Sequence, residues 1–236
     1  MAIREQDRFV TRAETGAIDQ GLRAYMLRVY NYMMLGLGLT GAVAYAVAAT
    51  PAIQNVIFGS GLMWLFILAP IGLVLLLSFR IQKMSFASAQ LTYWLYAALN
   101  GIAFSTIFMA YTGTSIARVF FITAASFGAL SLYGYTTKKD LSGFGSFLFM
   151  GLIGIVIAAV VNMFLASSAL QFAISVIGVL VFAGLTAYDT QQIKEMYYAV
   201  DSSEIVGKKA IMGALRLYLD FINMFVMLLQ LFGNRN

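Results

Sequence analysis

Residues 214–233 read ALRLYLDFINMFVMLLQLFG, from Ala214 to Gly233. The run matches the roughly 20 apolar residues that carry a helix across a bilayer, yet Asp220 sits well inside it. A carboxyl group in hydrocarbon costs about 2.5–3.5 kcal/mol on insertion scales, so such a residue faces other helices or a wet cavity and needs a partner. A second acid, Asp189, lies near the end of the preceding apolar segment, in GLTAYDTQQIK. The expectation is that Asp189 and Asp220 meet inside a helix bundle and form its functional site.

Working outward, the 236-residue chain is 61% hydrophobic and only 11% charged, with a mean hydropathy of +0.84. Soluble domains are about half apolar and a quarter charged, so the composition is that of a polytopic membrane protein. The apolar runs are continuous rather than alternating, which excludes a transmembrane β-barrel. There is no cysteine and no histidine. That removes thiolate nucleophiles, sulfur and imidazole metal ligands, and the usual side chain titrating near neutrality. Any response to pH falls to carboxylates. The net charge of +5 is spread over loops and is no nucleic-acid signal.

Residues 1–28 are polar and mixed in charge, with Arg4, Arg8, Arg12, Arg23 and Arg28 against Glu5, Asp7, Glu14 and Asp19. They lack the apolar core and cleavage site of a signal peptide and read as a cytoplasmic tail. Residues 29–233 read as a single seven-helix membrane domain. Its segments are Val29–Ala49, Leu62–Phe79, Ala87–Ala110, Ser115–Thr136, Phe144–Leu165, Leu170–Tyr188 and Ile211–Phe232. With the N-terminus inside, thirteen basic residues fall on the inner side: five tail arginines, Arg80, Lys83, Lys138, Lys139, Lys194, Lys208, Lys209 and Arg216. Only Arg118 and Arg235 fall outside. This positive-inside bias places the N-terminus in the cytoplasm and the C-terminus out. A re-entrant last segment, bearing Arg216 and Asp220, is the alternative and returns the C-terminus inside.

Small residues recur at Gly36, Gly38, Gly41 and Ala44, and at Gly151, Gly154 and Ala158, a pattern that serves close helix packing in lipid. Asn100 and Asn162 fall mid-span and are expected to face inward as interhelical glue, with a substrate role as the sharper alternative. GALSLYGYTTKKD at Gly128–Asp140 faintly echoes GLTAYDTQQIKE at Gly184–Glu195. The stretch Asp189–Ala210 is expected to be the longest loop, solvated or docking a partner.

Two carboxyls in one dry site do not both ionise readily, and they titrate as a unit. One shared proton satisfies both; its loss leaves two like charges that part the helices or recruit a cation. Asp189 is five residues from Lys194, about 7–8 Å along a helix, and Asp220 is eleven beyond Lys209, about 16 Å. Both therefore fall in the inner half of the bilayer, and a modest extension of the last helix brings them level. Ionised, the pair is hard oxygen ligation suited to Ca²⁺, but two carboxylates fall short of the usual six to eight ligands, so binding is weak. Arg216, four residues before Asp220, shares its helix face. Arg80, ending the second segment, is either a topology signal or a partner of the acids.

These residues resemble the Bax inhibitor-1 family of membrane proteins. LYLDFIN with the apolar run to Phe232–Gly233, AYDTQQIK before it, and KKDLS followed by Phe144–Phe164 carry the resemblance, which covers about Tyr25 to Gly233. It implies seven helices with the last at the centre. It also implies a pH-sensitive calcium leak governed by a di-aspartyl pair, here Asp189 and Asp220, with a basic latch, here Arg80. Family members with an acid inside the second helix differ from this chain, whose Leu62–Phe79 holds Pro70 and no carboxylate. The tail, Met1 to about Ala24, carries no family feature; its length and lack of an organelle signal look bacterial, which implies an inner-membrane location.

Three functional readings follow. The first is a calcium or cation leak channel, non-enzymatic and without a cofactor, calcium being the permeant ion. The alternative is a non-conducting regulator that binds a membrane protease or another membrane complex. The third, an intramembrane aspartyl protease, is disfavoured because neither acid sits in a GxGD-like setting.

Overall fold

The computed structural model describes residues 2–59 and 63–236, with side chains from Gln20 to Gly59 and from Leu65 onward. Leu62 and the side chains of Arg4, Glu5, Asp7, Arg8, Arg12, Glu14 and Asp19 lie outside the described residues. Eight α-helices follow in order: α1 Ala2–Ala48, α2 Pro51–Gly59, α3 Met63–Arg80, α4 Phe86–Ala110, α5 Gly113–Thr136, α6 Ser142–Leu165, α7 Ser168–Glu195 and α8 Ser203–Phe232. Among the described residues, seven are long and apolar enough to cross a membrane. The protein is an all-α polytopic membrane protein, because only helices satisfy the backbone of such runs in lipid.

The segments expected from sequence each coincide with a long helix, but the boundaries differ in instructive ways. The first span begins near Gln20, and no break occurs at residue 28: α1 is continuous, with Tyr25, Met26 and Val29 buried in the core. The expected loop Asp189–Ala210 is largely helical. Helix α7 runs on to Glu195 and α8 starts at Ser203, which leaves only residues 196–202 between them.

Local chemistry sets these ends. Ser85, Thr112, Ser167 and Ser202 each accept a hydrogen bond from the backbone N–H three residues on, at the starts of α4, α5, α7 and α8, satisfying donors that a helix leaves free. Helix α6 starts without such a cap; instead the Ser142 N–H donates to Asp140 and the Leu141 N–H to Gln191 of α7. The Ser142 bond holds the Asp140 carboxyl, in the exposed loop, below its usual carboxylate range. Ala166 makes the tight α6–α7 turn with φ 48°.

Helix α8 is the axis. It packs against α7, α1, α5 and α4, while α3 lies on α4 and α6 on α7. Two triples, α1–α3–α4 and α5–α6–α7, thus flank it. At its middle Tyr218, fully buried, donates to Thr40 of α1, which in turn donates to the Ala97 carbonyl of α4 (both 2.8 Å). The far end of α8 is strapped down. Asn234 N donates to Ser115 Oγ at 2.8 Å, Thr112 N to the Asn234 carbonyl at 3.0 Å, and Asn236 N to the Ala110 carbonyl at 3.1 Å. Arg118 reaches the Phe232 carbonyl.

The chain end therefore meets the α4–α5 turn. The start of α8 meets the opposite face, where Lys208 donates to the Met84 carbonyl before α4. Helix α8 runs unbroken from one face of the bundle to the other, without the reversal that a re-entrant segment makes. The two echo segments lie side by side, α5 against α7, with Gly134 pressed on the Ala187 carbonyl so closely that a Cβ has no room.

Candidate functional site

Helices α7 and α8 are antiparallel neighbours, and their extension beyond the apolar runs brings the two acids level. The carboxyls of Asp189 and Asp220 lie within hydrogen-bonding reach of each other. Asp220 is 4% exposed and its Oδ2 has no hydrogen-bond donor. Asp189 is only partly buried, and Arg216 Nη1 stands 3.9 Å from its Oδ1. The two acids thus sit in unequal settings: one enclosed and undonated, the other beside a half-exposed guanidinium. That is a pair of carboxyls close enough to share a proton, with one Asp220 oxygen left without a partner and a loose ion pair on the more exposed side.

The helix continues through the polar stretch 189–195 because its inward side is buried. Thr190, Gln191 and Ile193 are enclosed, and Gln191 both donates to the Lys139 carbonyl and accepts from Leu141 N (each 2.8 Å). Thr190 ends a directed chain of hydroxyls. Tyr30 of α1 donates to Ser131 of α5 (2.7 Å), Ser131 to Thr190 (2.9 Å), and Thr190 to the Thr186 carbonyl (2.7 Å). Sequence reasoning missed this chain; Ser131 and Thr190 lie one in each echo segment but at places that do not correspond, so no pattern pointed to it.

The remaining sequence candidates separate. Arg80 ends α3, is exposed, and makes no ion pair with either acid among the described residues; α3 lies on α4, away from the α7–α8 seam. The basic group at the acids is Arg216, because it is carried by α8 itself, one turn from Asp220. Asn162 is not mid-span but in the last turn of α6. It accepts from Ser167 N (3.0 Å) and donates to Gln171 (3.2 Å). Asn100 is half-buried near Tyr96, and its Nδ2 has no hydrogen-bond partner. Of the small residues, Gly36 and Gly151 pack on Tyr93 and Val181, whereas Gly38, Gly41 and Gly154 face open space. Among the described residues no three acidic, histidine or cysteine side chains cluster.

The family model described as inhibitor of apoptosis-promoting Bax1 matches residues 22–236. The chain belongs to the Bax inhibitor-1 family. The inner membrane protein YbhL of Escherichia coli K12 is 51% identical over 218 residues, 91% of this chain and 93% of its own. A Rickettsia prowazekii protein is 48% identical over 225 residues, 95% of each chain. A membrane protein of Streptococcus pyogenes is 36% identical across 92% of this chain and 96% of its own. The matched range covers all seven long apolar helices, the first of them from residue 22.

Proposed function

We propose that this protein is a pH-sensitive leak pathway for calcium or a similar cation, sited in a bacterial inner membrane with its basic face and N-terminus towards the cytoplasm. The observation that carries the reading is Asp220, a buried carboxyl with an oxygen lacking any donor, set against Asp189. A residue that expensive in lipid is a candidate for function by default. With one proton shared, the pair is neutral enough to tolerate its apolar surroundings, and α7 and α8 stay together. When that proton leaves, two like charges repel across the seam, and a divalent cation relieves them. Two carboxylates supply too few oxygens to retain calcium without water and carbonyls, which suits passage better than storage. Arg216 takes the latch role in place of Arg80: its guanidinium steadies Asp189 and must yield for a cation to approach.

The test is calcium flux into proteoliposomes from pH 6 to 8 for the parent, Asp189→Asn and Asp220→Asn. Flux that rises with pH in the parent and is flat in both variants supports the proposal. Absence of flux from folded parent protein at every pH overturns it and favours a non-conducting regulator, whose partner binding is lost on deleting residues 1–24.

A further inference from the structure

Helices α1 and α5 lie side by side but do not close on each other. Between them a cleft of about 1070 Å³ opens along the bundle, floored by Phe221 of α8. Its lining on α1 runs from Arg23 to Ala42 in one stripe, twenty residues or about 28 Å of helix, close to the thickness of the hydrocarbon core. Gly38, Gly41 and Gly128 line it, and a Cβ on any of them meets nothing within 4 Å. A void of this size is not left empty in a bilayer.

The charge at one end selects the occupant. Arg23 lines the cleft at the basic face, exposed and without an ion pair among the described side chains. Tyr135, also in the lining, carries Lys194 over its ring at 5.7 Å, with the ammonium donating to the Tyr135 carbonyl. Lys138 and Lys139 follow in the same loop; the acids nearby, Asp140 and Glu195, leave the end net basic. Basic pockets between membrane helices on this face select anionic headgroups.

We infer that the α1–α5 cleft is a binding site for an anionic phospholipid, whose headgroup phosphate meets Arg23 and Lys194 and whose acyl chains fill the groove over Gly38, Gly41 and Gly128. The site also adjoins the acid pair. Tyr30 forms part of the cleft wall and starts the hydroxyl chain through Ser131 to Thr190, the residue after Asp189. A lipid that packs on Tyr30 therefore bears on the helix that positions Asp189. This coupling rests on the proposed leak function; the binding does not.

The experiment is native mass spectrometry of the full chain titrated with phosphatidylglycerol or phosphatidylcholine. The parent is expected to retain phosphatidylglycerol preferentially. Arg23→Gln lowers that retention about fivefold, the effect of one basic residue at the surface. Gly41→Leu, which fills the groove without touching the charge, lowers retention of both lipids. Equal retention of the two lipids by the parent, or unchanged retention in both variants, overturns the site. So does a lipid-free dimer that Gly41→Leu dissociates, because the cleft is then a helix-docking seam between copies. In proteoliposomes with and without phosphatidylglycerol, Thr190→Val, which breaks the hydroxyl chain outside the cleft, keeps binding but loses any lipid effect on flux. If the parent shows no flux, the leak reading fails while the binding result stands.

Discussion

Helices α7 and α8 carry two polar sites, one near each end, built on opposite terms. Towards the chain-end face, Gln171 and Ser175 of α7 both donate to Gln230 Oε1 of α8, at 2.7 and 2.8 Å, and Gln171 accepts from Asn162. The groups are neutral and each finds a partner. Towards the basic face, Asp189 and Asp220 share a seam where one carboxyl oxygen has no donor and the guanidinium is 3.9 Å away. The same helix pair therefore distinguishes glue from mechanism. Neutral amides close their hydrogen bonds and hold the helices together. The acid pair leaves one oxygen without a donor, and so retains the capacity to change state with a proton.

The sharpest way to break this contrast is to neutralise the inner site. Asp220→Asn is expected to abolish the pH response of calcium flux altogether while the protein remains folded in detergent; a retained pH response places the sensor elsewhere. Next in size is the outer site. Gln230→Leu strips the acceptor from two side chains and is expected to destabilise by about 1 kcal/mol, the scale of hydrogen bonds between membrane helices. Thermal unfolding should show this loss, and the flux–pH curve should keep its shape. Arg216→Gln should raise flux at pH 8, where the acids are ionised and the guanidinium alone opposes a cation, by a factor of about 1.4–5, because a half-exposed pair at this distance contributes about 0.2–1 kcal/mol. Arg80→Gln should leave flux unchanged, and the reverse outcome restores Arg80 as the latch. The smallest effect belongs to Asp140. Its folded-state carboxyl is held low, so its contribution is present above the unfolded value near pH ~3.9 and fades as pH falls through the folded one. Asp140→Asn should cost a slight amount of thermal stability at neutral pH and remove the parent's further loss as pH falls into the acid range.

Most of this architecture was legible in the chain, for reasons that also mark where legibility ends. Continuous apolar runs report lipid contact directly, so the long helices could be read and α8 singled out by Asp220. Where a helix continues beyond the lipid into buried protein contacts, composition misleads. Residues 189–195 look like a loop because they are polar, but Thr190 and Gln191 spend their polarity on α5 and the α5–α6 loop. Asn162 looks mid-span by counting, yet it serves the α6–α7 turn. The short helix Pro51–Gly59 went unread because it is too brief for a spanning pattern. Arg80 and Arg216 are alike as basic residues near the inner face; only packing, which puts α3 outside α4, tells them apart. Gly38 and Gly41 show the limit of small-residue patterns, since the motif says that a surface can be approached, not that anything in the chain approaches it.

The strap at the chain end has a mechanical consequence. Residues 232–236 fasten the last turn of α8 to the α4–α5 turn and the start of α5 through several backbone bonds, while Asp220 lies twelve residues back along the helix. A rod clamped at one end does not slide; it pivots. Repulsion at the acid pair therefore acts on a lever arm of about 18 Å, so a small tilt about the fixed end widens the seam most at the basic face and least at the clamp. Any opening of this bundle is wedge-shaped, with its apex at the strap.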